Sequence, residues 1–325
     1  MDSAYCLDLR RKFEHNAGMN RPVRSLGYSA LKALLIFGLL ALVSGPERAR
    51  ASNIINMSTR ILAETGDDVI VMEFVVQGPG TKYMILRGIG PSLIGFGIPD
   101  ALRDPVMTLL DARGRVLDSN DNWVDSPDKD AIIATGIPPT DRRESAIVHT
   151  FAPGIYTVVV RGVRGTTGVA LAETYDLSSS DQTTVISGIG TRGFVSIADH
   201  VIISGVIVAG SAPLPVLLRA LGASLGDVGI SAPLADPVLE LHDGNGALIA
   251  LNDNWRDLQE AEIVATGLPP DNDLESAIVA NLVPGAYTAI VRGLNETTGT
   301  GFVQFYSLDA PVRELNPAPR IRVRP

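Results

Sequence analysis

The chain repeats itself over most of its length. Ser119-Asn120-Asp121-Asn122-Trp123 returns as Leu251-Asn252-Asp253-Asn254-Trp255, and Arg87-Gly88-Ile89-Gly90-Pro91-Ser92-Leu93 as Arg219-Ala220-Leu221-Gly222-Ala223-Ser224-Leu225, both at a shift of 132. Past the tryptophan the shift is 131. Ala134-Thr135-Gly136 becomes Ala265-Thr266-Gly267, and Glu144-Ser145-Ala146-Ile147-Val148 becomes Glu275-Ser276-Ala277-Ile278-Val279. A solenoid unit runs to about 20–50 residues, so a period this long marks a duplicated domain. The expected copies are residues 52–178 and 179–310, joined at Ser178-Ser179-Ser180, with 311–325 as a C-terminal tail.

Within a copy, Val/Ile-rich or alternating runs are bounded by Gly, Pro, Asn or Asp, as at Val69–Gln77, Lys82–Gly88, Val106–Asp111, Ala146–Phe151, Tyr156–Arg161 and Val169–Asp176. Such runs form strands. Tyr156, Val158 and Val160 alternate with Thr157, Val159 and Arg161, the period of two of a half-buried strand. Only Asp128–Ala134, its counterpart Leu258–Ala265, and the short Ile98–Leu102 look helical. The expected fold is all-β: two tandem β-sandwich, jelly-roll-like modules following an N-terminal signal peptide.

Ahead of the first copy, Arg21, Arg24 and Lys32 precede an eleven-residue apolar run, Ala33 to Val43, then Gly45-Pro46 and Ala49-Arg50-Ala51. That is the order of an export signal with a small-residue cleavage site, so cleavage is expected after Ala51 and Met19 is the expected start. A membrane anchor is the alternative, although a spanning helix needs about twenty apolar residues. With residues 1–51 removed, 19 basic and 32 acidic side chains remain, a net charge of −13. So acidic a surface repels phosphate backbones, which argues against nucleic acid. The single cysteine, Cys6, leaves with the signal, so no disulfide or thiolate ligand is expected.

The run Asp104-Pro105-Val106, Leu110-Asp111, Gly114, Asn120-Asp121, Glu144-Ser145, Pro153-Gly154, Tyr156-Thr157 and Gly168 resembles the bacterial pre-peptidase C-terminal domain over the later two thirds of each copy. The module as a whole resembles a tandem repeat of exported surface proteins in environmental bacteria. What the resemblance implies is a jelly-roll sandwich accompanying secreted proteins, in some cases with calcium.

Asp118, Asn120 and Asn122 have the alternating oxygens of a calcium loop, and Glu144 could complete it. Asn252, Asn254 and Glu275 are the counterparts, but Ala250 stands where the first copy has Asp118. The competing reading is that these Asn and Asp residues cap their own backbone turns. Trp123 and Trp255 are the only tryptophans; each is either an exposed platform for a sugar ring or a plug at the end of the core. The arginines recurring at 60/192, 87/219 and 161/292 are expected to pair with carboxylates such as Glu144 or Glu275.

Catalytic signals are weak. His149 corresponds to Ala280, His200 to Asp68 and His242 to Leu110, so no histidine recurs. Neither a zinc-binding histidine pair nor a nucleophile elbow is present. The expectation is a secreted or cell-surface, non-catalytic binding or structural module with an extracellular polymer or protein as ligand. A calcium-stabilised carbohydrate-binding module and a hydrolase accessory domain or cryptic hydrolase are the alternatives. In the tail, Leu315-Asn316-Pro317-Ala318-Pro319-Arg320-Ile321 echoes Ile55-Asn56-Met57-Ser58-Thr59-Arg60-Ile61, as a docked strand or as an unstructured extension.

Overall fold

The computed structural model describes residues 51–178, 183–310 and 313–315. The expected signal and cleavage motif up to Arg50, Ser179 and Ser180 of the expected joint, and most of the tail lie outside the described residues. The chain is mostly antiparallel β-sheet, and none of its described helices is long and apolar enough to cross a membrane.

The first half carries β1 (Asn53–Ala63), β2 (Ile70–Gln77), β3 (Lys82–Ile89), β4 (Pro105–Asp111), β5 (Val116–Asn120), β6 (Ser145–Phe151), β7 (Gly154–Gly162) and β8 (Gly168–Asp176). The second carries β9 (Val185–Val195), β10 (Ile202–Ala209), β11 (Leu214–Leu221), β12 (Pro237–Asp243), β13 (Leu248–Asn252), β14 (Ser276–Leu282), β15 (Gly285–Gly293) and β16 (Gly299–Ser307). Each strand recurs at the shift of the sequence repeat. The short helices α1 (Lys129–Ala134) and α2 (Glu260–Ala265) recur likewise, α2 beginning two residues later than its pattern suggests. The helix expected at Ile98–Leu102 is absent. A 3₁₀ turn occupies Pro91–Phe96 instead, and Ala101 bridges to Val169. Pro91 sets the first helical φ of that turn, whereas the backbone of Asp100 and Leu102 is committed to Val169 at the start of β8, by bonds of 2.9 and 2.8 Å.

Hydrogen-bonded order in the first half is β1-β8-β3-β6 and β2-β7-β4-β5, and in the second β9-β16-β11-β14 and β10-β15-β12-β13. The halves then join edge to edge. β1 pairs antiparallel with β10, from Asn53 opposite Ala209 to Arg60 opposite Ile203, and β2 pairs with β9 from Val71 opposite Arg192 to Gln77 opposite Val185. Each ladder therefore runs through both halves, and β1 and β9 meet in parallel at the joint.

The alternation seen in sequence sets the core. Val158 and Val160 on β7 join Phe74 of β2, Met107 of β4, Val206 of β10 and Phe305 of β16 in one apolar cluster spanning both halves. A second cluster lies on the outer face of the later half, where Trp255, Ile263 of α2 and Leu268 cover Leu217, Phe302 and Tyr306. Leu315 of the tail is buried in it. Residues 313–315 form no strand, and the rest of the echo, 316–321, lies outside the described residues.

Candidate functional site

The motif residues gather at one turn cluster per copy. Glu144 is fully buried just before β6, whose register places Ser145 opposite Gly88, so the glutamate reaches past the strand end to the turn that follows β3. Its Oε1 accepts from the amides of Gly90 (3.1 Å) and Ser92 (3.0 Å) and from the Ser92 hydroxyl (2.5 Å), and its Oε2 accepts from the Asp141 amide at 3.2 Å. Glu275 repeats this with Gly222 (2.8 Å), Ser224 (2.9 Å) and the Ser224 hydroxyl (2.5 Å), while its Oε2 is buried without a hydrogen-bond partner. The turn demands glycine. A Cβ on Gly90 or Gly222 would lie 2.1 Å from the carbonyl oxygen of Leu102 or Leu234.

The asparagines also face the backbone. Asn120 Oδ1 accepts from the Ala146 amide at 2.9 Å and its Nδ2 donates to the Asn122 carbonyl at 3.3 Å; Asn252 does the same with Ala277 (2.9 Å) and Asn254 (3.0 Å). Asp118 lies on β5, opposite core-facing Leu109, and accepts from the Ser119 amide. Of the oxygens expected to hold calcium, those of Asn120, Asn252 and Glu144 and one of Glu275's are thus given to amide or hydroxyl donors. The Asn254 Oδ1 is buried without a partner.

Trp123 donates its indole N–H to the Asp141 carbonyl (3.0 Å), and Trp255 donates to that of Asn272 (3.2 Å). Trp255 is 2% exposed, with the Arg256 guanidinium 4.0 Å above its ring. Trp123 is half-buried against Ile85 and Ile132. Both positions are those of a plug whose one polar atom is satisfied.

The arginines do not take the partners expected of them. Arg87 bonds Glu173 on the neighbouring β8 through Nε (2.9 Å) and Nη2 (2.5 Å), not Glu144, and donates Nη1 to the Ile137 carbonyl at 2.8 Å. Glu144 is already held by the glycine turn. Arg219 meets Gln304 (2.8 Å), the Leu268 carbonyl, the Tyr306 hydroxyl and tail residue Glu314 (3.1 Å). Burial, then the charge of Glu173, pushes the Tyr175 phenol up, so it stays protonated and donates to Glu173 at 2.8 Å. Arg292 pairs with Glu240, and Arg60 donates to the Asp199 carbonyl at 3.1 Å.

One recurring pair escaped the sequence analysis. Asp104 and Asp121 in the first copy, and Asp236 and Asp253 in the second, are carboxylates close enough to repel. Burial and then Asp104 raise the Asp121 pKa; burial and then Asp253 raise that of Asp236. One oxygen each of Asp104, Asp236 and Asp253 is buried without a hydrogen-bond partner. The signal available in the sequence was the 132-residue recurrence of both aspartates. Among the described residues no three His, Cys, Asp or Glu side chains gather in metal-binding geometry. His200 contacts Asp100 at 2.6 Å and His242 contacts Glu240 at 2.9 Å.

Neither a scan against protein-family models nor a search of curated proteins finds a match for this chain.

Proposed function

We propose that the chain is an exported protein whose two copies, residues 52–178 and 179–310, are jelly-roll sandwich modules acting in binding or structural display outside the cytoplasm rather than in catalysis. The strand orders β1-β8-β3-β6 and β2-β7-β4-β5, repeated in the second half, support the jelly-roll reading, as does the resemblance to the pre-peptidase C-terminal domain. One observation carries the non-catalytic reading. Three of the polar pairs that recur between copies (Glu144/Glu275, Asn120/Asn252, Trp123/Trp255) direct hydrogen-bonding atoms to backbone groups and turn donors rather than into a cleft. Catalysis needs such groups aimed at a reacting atom.

The test is to assay the purified chain on a panel of polysaccharides, esters and peptides, and on a glycan array. Turnover that survives further purification overturns the proposal; saturable binding without turnover supports it.

A calcium-stabilised carbohydrate module is the second reading, and the partnerless oxygens of Asp236, Asp253 and Asn254 favour it. Carbonyl oxygens of Pro237, Asn252 and Asp253 also crowd the single hydroxyl of Ser276 at 2.6–2.9 Å. Calcium takes six to eight oxygens of these kinds. When bound there it would supply positive charge between two carboxylates that otherwise repel.

A further inference from the structure

The two ends of the molecule are built from equivalent strands but finished differently. At the first copy's end the outermost strands are β5 and β6; at the second copy's end they are β13 and β14. β13 bonds only β12, and β14 only β11, so each leaves one backbone edge unpaired among the described strands. An unpaired edge is a template for another strand, and proteins guard it with charges, notably ones pointing inward.

The first copy places a carboxylate and an imidazole there. Asp118 on β5 stands opposite Leu109, and His149 on β6 opposite Met84, both partners being fully buried core residues. Residues paired across a ladder share a face, so Asp118 and His149 are on the inner face at the mouth of the sandwich. The same positions in the second copy are Ala250, opposite Leu241, and Ala280, opposite Val216. A groove of about 660 Å³ lies between β13 and β14, lined by Ala250 and Ala280 at these positions. Its rim is apolar, with Ile249 51% and Leu258 74% exposed, and Leu251 replaces the first copy's Ser119. At Leu251 the fold does not require an apolar residue, because the first copy carries Ser119 there, whereas Ile249 matches the apolar Leu117.

We propose that this end is an interface between two copies of the chain, in which β13 of one protomer pairs antiparallel with β13 of its partner across a two-fold axis. Two properties select a second copy as occupant. The two halves of one chain already join by edge pairing, β1 with β10 and β2 with β9, so pairing at β13 extends the same ladder by the same contact. The chain carries a net charge of −9, which opposes self-association over most of its surface, yet among the described residues Asp243 is the only carboxylate lining this groove. A two-fold contact between identical apolar strands is self-complementary.

Sedimentation velocity of the full chain across a hundredfold concentration range tests the proposal, beside the double variant Ala250→Asp/Ala280→His, which installs the first copy's carboxylate and imidazole. The wild type is expected to sediment as a dimer and the variant as a monomer, with at least tenfold weaker association and an unchanged circular dichroism spectrum. Should that variant not fold, Leu251→Ser, which copies Ser119 at an exposed position, is expected to weaken association in the same direction. A monomeric wild type at every concentration overturns the proposal. So does a dimer whose affinity neither variant changes.

Discussion

The hydroxyls of Thr59 and Thr191, the same position in the two copies, meet at 2.9 Å where β1 and β9 run side by side. Both residues are fully buried, and Thr59 also contacts the Ser204 hydroxyl on β10 at 2.7 Å. The contact sits where the halves join, so it couples them. Replacing Thr59 with the isosteric valine leaves buried hydroxyls short of a partner, which costs about 1–3 kcal/mol. Urea denaturation of Thr59→Val should show that loss as a lower midpoint with an unchanged slope.

Edge pairing between the halves also dictates how the chain unfolds. Because β1 depends on β10 and β2 on β9, neither half can lose its sheets without exposing the edges of the other. One cooperative transition is expected, with fluorescence of Trp123 in the first half and Trp255 in the second changing together. Single-tryptophan variants, Trp123→Phe and Trp255→Phe, that melt at well-separated denaturant concentrations would show instead that the halves unfold independently.

The tail completes the second copy. Arg87 has Glu173 beside it, but the matching position near Arg219 is Gln304, and the carboxylate comes from Glu314. Next to it Leu315 is fully buried and donates its amide to the Tyr306 hydroxyl at 3.2 Å. Leu315→Ala should cost at least about 2 kcal/mol through the cavity it leaves. Gln304→Glu supplies the missing carboxylate on β16 and should cancel the smaller loss caused by Glu314→Gln, a rescue readable from thermal melts of the two variants separately and combined.

What is legible in the sequence depends on the distance over which each residue acts. Strand positions were legible because alternation and turn residues are local, and the 132-residue shift then placed each strand twice. The plugging role of Trp255 was legible as an alternative, since a large apolar ring with a single N–H fills the end of a core and bonds a backbone carbonyl. The partner of Arg87 was not, because Glu173 is 86 residues away and only the β3–β8 register, Arg87 opposite Glu173, brings them together. Edge pairing between the halves was equally hidden. A repeat says that β1 and β9 are alike and pair alike within their own halves, with β8 and β16, but not that β1 also takes β10 and β9 also takes β2 across the joint. The opposite finishing of the two ends lay open in the substitutions Asp118 to Ala250 and His149 to Ala280, yet its meaning depended on knowing that β5, β6, β13 and β14 are outermost.

The paired aspartates give stability a pH dependence of definite sign. Burial, then repulsion from Asp253, raises the pKa of Asp236 above the ordinary carboxylate value near 3.9. In the window between those two values the folded chain binds more protons than the unfolded one, so this group's contribution falls as pH rises, and the penalty remains at neutral pH. Asp236→Asn removes the penalty. The variant should match the parent near pH 3 and be more stable at pH 7, by less than about 1 kcal/mol because solvent screens a partly exposed group. Calcium separates the two readings of this turn. A cation held by Asp236, Asp253 and Asn254 would stabilise the parent by preferential binding to the folded state. With millimolar calcium present, Asp236→Asn would then be the less stable protein at pH 7. If its advantage persists unchanged when calcium is added, the paired carboxylates hold no calcium and simply repel.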